Sequence, residues 1–184
     1  MRHTVRLATI AVATVTLLVP LGAQTRQGVM GDLLRDVGEV EKKILGLAKA
    51  MPDPAWAWRP SAAVRSTQEV LLHVAADNYF IPVLGGVEAP KETGITKEYN
   101  TAVAFEKKTM NRDAVVAEVQ KSFAFLKKAM ESTPDAKLDT PLDIFGQKGS
   151  TRSLWVSATT HLHEHLGQLI VHARSNNVVP PWSK

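Results

Sequence analysis

Apolar residues return every three or four positions in four long stretches of this sequence, a spacing that admits little besides α-helices packed on one another. The first stretch, about residues 29–51, carries Met30, Leu33, Leu34, Val37, Val40, Ile44, Leu47 and Ala48 on one face. The second opens with Ser66-Thr67-Gln68-Glu69, a capping-box spelling in which serine and glutamate satisfy each other's backbone donors, and runs to about Leu84 before Gly85-Gly86. The third follows Asn111, a good N-cap, with Val115, Val116, Val119, Phe123, Leu126 and Met130 in register until Thr133-Pro134. The fourth starts near Thr151 and runs to about Asn176-Asn177, where asparagine can take the left-handed closing conformation ahead of Pro180-Pro181. No period-two alternation competes, although residues 142–145 read as briefly extended. The expected class is all-α, a four-helix bundle.

The connections are longer than the roughly 2 to 8 residues usual between antiparallel neighbours in bundles, which suggests crossover topology. Residues 85–110 could span roughly 80 Å if extended, against roughly 30 Å for a twenty-residue helix. The second and third helices could therefore run parallel. A chain of 184 residues with 45% hydrophobic content buries enough apolar surface for one domain. Cysteine is absent, which excludes disulfides, thiolate ligands, a cysteine nucleophile and a lipidated-cysteine anchor.

The N-terminus reads as an address. Arg2 and Arg6 precede an apolar run over residues 7–21, and Leu21-Gly22-Ala23 offers a cleavage point before Gln24. Fifteen apolar residues fall short of the roughly 20 that span a bilayer, so a secretory signal over residues 1–23 is expected rather than an anchor. Residues 24–184 would then form the mature domain, secreted or periplasmic, with no stable membrane insertion after cleavage. Cleavage removes two arginines and no acids, taking the formal net charge from +4 to +2, so the basic balance means little. Lys42-Lys43, Lys107-Lys108 and Lys127-Lys128 are scattered among acids without the aromatic or glycine-rich interleaving of a nucleic-acid surface. No nucleic-acid partner is expected.

The chemistry concentrates in His161-Leu162-His163-Glu164-His165 of the fourth helix. At about 100° per residue, His161 and His165 project about 40° apart, one turn along the same face, whereas His163 points about 200° away from His161. Leu154, Ala158, Leu162 and Leu169 lie on the same side as His161, so the pair faces the bundle interior. A lone buried histidine is usually satisfied by one hydrogen bond, but two on one stripe are harder to satisfy that way. His73 in the second helix, flanked on its face by Val70, Val74, Phe80 and Ile81, also points inward. Three neutral imidazoles can hold a divalent ion, zinc, nickel or similar, and leave it open positions. Asp77, one turn beyond His73, can orient an imidazole or act as a base, though a surface-edge position is about as good a reading. Gln168 and His172 share the His161 face and could line the pocket, with a core or rim histidine the better reading of His172. Trp56, Trp58 and Trp182 read as packing anchors.

His161-x-x-Glu164-His165 also spells the inverted zinc-protease signature, with glutamate as base. That class takes its third ligand from a downstream glutamate, and no acidic residue follows Glu164.

The stretches Trp58-Arg59-Pro60-Ser61, Arg65-Ser66, Glu69-Val70-Leu71-Leu72-His73-Val74-Ala75, His161-Leu162-His163-Glu164-His165-Leu166-Gly167-Gln168-Leu169 and Asn177-Val178-Val179-Pro180-Pro181-Trp182-Ser183 resemble, in this order, the DinB-like family of helical-bundle proteins. The resemblance implies a four-helix bundle with an up-down-down-up course and a divalent ion at His73, His161 and His165. It does not give a reaction, since relatives include thiol-dependent transferases and isomerases beside members known only as metal-binding proteins. Two classes are therefore carried forward. One is a metal-dependent enzyme performing hydrolysis or group transfer on an unknown small-molecule substrate. The other is a non-catalytic metal- or ligand-binding module. Export argues against the thiol-dependent version, because low-molecular-weight thiol pools are mainly intracellular. The sequence is silent on oligomeric state, and a homodimer is compatible with it.

Overall fold

The computed structural model describes residues 27–183, so the expected leader lies outside the described residues. In chain order the helices are α1 (Val29–Ala50), α2 (Asp53–Ala57), α3 (Thr67–Leu84), α4 (Tyr99–Glu106), α5 (Arg112–Glu131) and α6 (Thr151–Ser175). A two-stranded antiparallel hairpin, β1 (Pro141–Ile144) and β2 (Gln147–Ser150), precedes α6. The four long helices are the four apolar periods of the sequence, and their ends are made by the expected chemistry. Ser66 and Glu69 close a reciprocal capping box at α3, and Asn111 Oδ1 accepts from the Ala114 amide at α5. Asn177 stands in the left-handed region after α6, at φ 59°.

Contacts at the helix ends fix the course of the chain. Arg112, at the start of α5, reaches the Ala48 and Lys49 carbonyls at the end of α1, while the Val29 amide bonds Asp135 just past the end of α5. Hence α1 and α5 are antiparallel. Thr67, at the start of α3, meets Met51 beyond the end of α1 and His172 near the end of α6. Along α3 and α5 the pairs Gln68 with Met110, Asn78 with Ser122 and Tyr79 with Glu118 advance in the same direction, so these neighbours are parallel. The bundle is up-down-down-up, with α1 and α6 rising and α3 and α5 descending.

Residues such as Val37, Ile44, Leu47, Val70, Val74, Val119, Phe123, Leu126, Leu162 and Leu169 are essentially solvent-free, each large one contributing roughly 1.5–3 kcal/mol of burial. α3 is buried round most of its circumference, because α5 and α6 flank it while α2 and α4 pack across it. The crossover over residues 85–110 is folded rather than extended. It makes a single 3-10 turn at Lys91–Thr93 and then α4, whose Ala102 and Phe105 are buried, with Phe105 edge-on to Tyr79 of α3. The extended reading near residues 142–145 corresponds to β1. Its strand ends at Ile144, because Phe145 and Gly146 both take positive φ to make the tight turn into β2.

Candidate metal centre

α3 and α6 pack side by side and bring the three inward histidines together. His161 Nε2 lies 2.8 Å from His165 Nε2 and 3.3 Å from His73 Nε2. Two nitrogens each about 2.0–2.1 Å from a common ion would be roughly 3 Å apart, and with the ligand atoms of all three histidines within 4.8 Å of one another the group could hold one shared cation. His163 faces away: it is exposed and pairs with Asp36 of α1 at 2.7 Å. Glu164 is exposed as well and acts on His165 only as a minor electrostatic influence.

The outer nitrogens of His73 and His165 face acceptor oxygens. His73 Nδ1 donates to Glu106 Oε1 at 2.7 Å, and His165 Nδ1 donates to Gln168 Oε1 at 2.9 Å. In the tautomer that donates from Nδ1, a neutral ring presents its Nε2 lone pair toward His161 Nε2. A single proton on His161 Nε2 could serve one neighbour and would leave the rest facing one another unpaired. A divalent cation satisfies all three imidazoles at once, so the donor set fits the ion the family resemblance implies. Burial supports the same state of His165: desolvation, with further pressure from His161 and His73, outweighs the Gln168 bond and brings its pKa down to about 4. At neutral pH it is uncharged, the state in which an imidazole can coordinate a metal.

Asp77 is not a surface-edge residue. Its Oδ2 lies 3.0 Å from His161 Nε2 and 3.5 Å from His73 Nε2, at the ligating edge of both rings. The opening of the centre is on this side, where the side chains of Asp77 and His161 keep 16% and 22% of their exposure, whereas His165 keeps 4% and closes the back.

Glu106, the last residue of α4, was not singled out by the sequence. Besides His73 it binds Arg65 through Oε2 at 3.1 Å, forming an Arg65, Glu106, His73 chain. Burial pushes its carboxyl upward, but His73 and Arg65 together outweigh that and hold it below the usual carboxylate value. A carboxylate on the outer nitrogen of a ligating histidine fixes the tautomer and raises ligand basicity. The only trace in the sequence was the pair Ala102 and Phe105, three apart, just before it.

His172, expected to line the pocket or pack in the core, is buried with its Nδ1 3.1 Å from Thr67 Oγ1 and its ring edge-on to Trp58. Among the described residues no hydrogen bond or ring contact joins it to the three histidines. Trp56 is buried beneath the Arg112 guanidinium and acts as an anchor, whereas Trp182 is exposed, with Lys43 over its ring.

Fold and site together define a helical-bundle protein with a three-histidine centre between two neighbouring helices. The model of the DinB superfamily matches residues 38–169, a span that contains all three histidines, and the chain belongs to that superfamily. Two solved structures share the fold. A DinB-like protein from Bacillus cereus is 18% identical over 83% of this chain and 95% of its own, with a TM-score of 0.63. A DinB-like protein from Bacillus subtilis is 17% identical over 80% of this chain and 93% of its own, with a TM-score of 0.60. No curated protein matches the chain.

Proposed function

We propose that this protein is an exported metal-dependent enzyme that carries out hydrolysis or group transfer on a small molecule. The observation that carries this reading is the convergence of three imidazole Nε2 atoms beside an accessible carboxylate, Asp77. A divalent ion such as zinc or nickel, when bound by His73, His161 and His165, supplies Lewis acidity there. Asp77 Oδ2 is placed to take a proton from a group entering on the exposed side. Glu106 and Gln168 keep the rings of His73 and His165 turned with Nε2 inward. His165 and the apolar residues behind it, Leu162 and Leu169, exclude water from the rear of the centre. The export reading rests on residues 1–23 and places the mature domain, from about Gln24, in a secreted or periplasmic compartment. Among the described residues no helix is long and apolar enough to cross a membrane.

One observation favours a second reading. Asp77 touches the ligating edges of two imidazoles, so it is placed to act as a fourth donor and close the site, as structural rather than catalytic centres do. Metal analysis of protein purified without a histidine tag, with turnover of ester, amide and phosphoester substrates in the presence and absence of chelator, separates the two. Chelator-sensitive turnover supports the enzyme. Retained metal with no turnover on any substrate supports the binding module, and no metal at all overturns both. N-terminal sequencing of the exported product tests the leader, and an intact Met1 on membrane-bound material would overturn it.

A further inference from the structure

A cavity of about 470 Å³ lies against the outer side of the Glu106 link, between the loop that leads into α3 and the end of α4. Its charged lining consists of Arg59, Arg65, Lys107 and Lys108 against Glu69 and Glu106. Both acids are already committed. Glu69 accepts from the Ser66 amide and from Arg59, and Glu106 is shared between His73 and Arg65. The cations are not equally committed. Arg65 gives only Nη2 to Glu106, and its guanidinium makes no other hydrogen bond among the described residues. Lys107 is exposed and has no acidic partner among them. Lys108 reaches only the Thr93 carbonyl, at 3.4 Å, and lies over the Phe105 ring.

Surface arginine–glutamate pairs by themselves are worth little and need no ligand to explain them. Here, however, four cations face two acids whose oxygens are already used, inside a concavity in the size range of small-molecule sites. The missing component is negative charge. We propose that this cavity binds a small oxyanion, a carboxylate or phosphate group, with Arg65 as its principal anchor and Lys107 and Lys108 at the rim. Arginine suits the role because its fork donates two parallel hydrogen bonds to such a group. Glu106, which also holds His73 Nδ1, stands between this cavity and the imidazole cluster, so an anion bound to Arg65 would compete for the guanidinium that Glu106 shares. The anion site rests on its own cations and not on the enzyme reading.

The test is a titration of full mature protein, stripped with chelator, with inorganic phosphate and separately with acetate at constant ionic strength, followed by backbone amide chemical shifts. Saturable shifts confined to residues 62–69 and 106–109 are expected for at least one of the two anions. Arg65→Gln should weaken that binding by about tenfold or more, as loss of a charge-assisted hydrogen bond does. Lys107→Gln should weaken it by a smaller factor and retain metal as the parent does. Absence of saturable shifts with both anions overturns the proposal, and so does unchanged affinity in folded Arg65→Gln. If the anion site titrates as expected but no chelator-sensitive turnover is found, the enzyme reading fails and the site stands. Turnover without anion binding has the opposite meaning.

Discussion

His73 Nδ1 and Glu106 Oε1 are 2.7 Å apart, although 33 residues separate them and one lies in a long helix while the other ends a short one in a crossover. The contact sets which nitrogen of His73 faces the other histidines. Glu106→Ala should therefore weaken metal binding by about 10 to 100-fold without touching a ligand. Glu106→Gln should lose less, because its amide oxygen can still accept from Nδ1. Competition against a metallochromic chelator measures both, and equal affinities in the parent and folded Glu106→Ala would show that the carboxylate does not orient the ring.

His73→Ala, His161→Ala and His165→Ala should each abolish stoichiometric metal, whereas His163→Ala should keep it, since His163 pairs with Asp36 on the surface. Elemental analysis of the purified variants, with circular dichroism to confirm helicity, reads the contrast. Loss of metal from folded His163→Ala together with retention in folded His161→Ala would contradict the helix register.

The metal-free protein should lose stability on mild acidification. His165 is held in the fold at about 4 against an ordinary value of 6.5, so below about pH 6.5 the unfolded chain takes up a proton that the folded one refuses. Stability should be flat above that point, fall as pH drops toward about 4, and level off beneath it. His165→Leu should flatten this part of the curve. Thermal melts of chelated protein across the range give the answer, and an unchanged slope in the leucine variant would assign the acid sensitivity elsewhere.

Thr67→Val should destabilise the protein by about 1–3 kcal/mol, because it leaves the buried Nδ1 of His172 without its partner. Metal content should not change, since this pair does not touch the three histidines. Urea denaturation with elemental analysis tests both halves. Metal loss from a folded Thr67→Val protein would tie His172 to the centre.

The parts of this molecule that were legible in the sequence are those governed by helical period and local capping. Ser66, Asn111 and Asn177 mark ends with their own side chains or backbone, and the angle between His161 and His165 follows from four residues of helix. Asp77 was visible as a neighbour of His73, but its approach to His161 depends on how α3 packs against α6, which no period records. Glu106 was hidden for a related reason. α4 has eight residues and two buried apolar ones, and its place is decided by Tyr79 and Phe105 meeting across the crossover rather than by its own pattern. His172 shares a face with the ligands, yet it lies two turns beyond His165, where Thr67 and Trp58 fill the space around it.

The 88 positions between His73 and His161 also bear on how the protein is made. A chain still emerging from the ribosome carries His73 and Glu106 long before the last helix exists, so it can offer an ion at most one imidazole of the three. The three imidazoles come together only when α6 has docked, so an ion that needs all three would bind late, after assembly is complete. The same wiring makes a nick in the crossover informative. Cleavage between α3 and α4 would leave the three histidines on helices packed in place, and with Phe105 still against Tyr79 a clipped protein should keep both its bundle and the bond from His73 to Glu106.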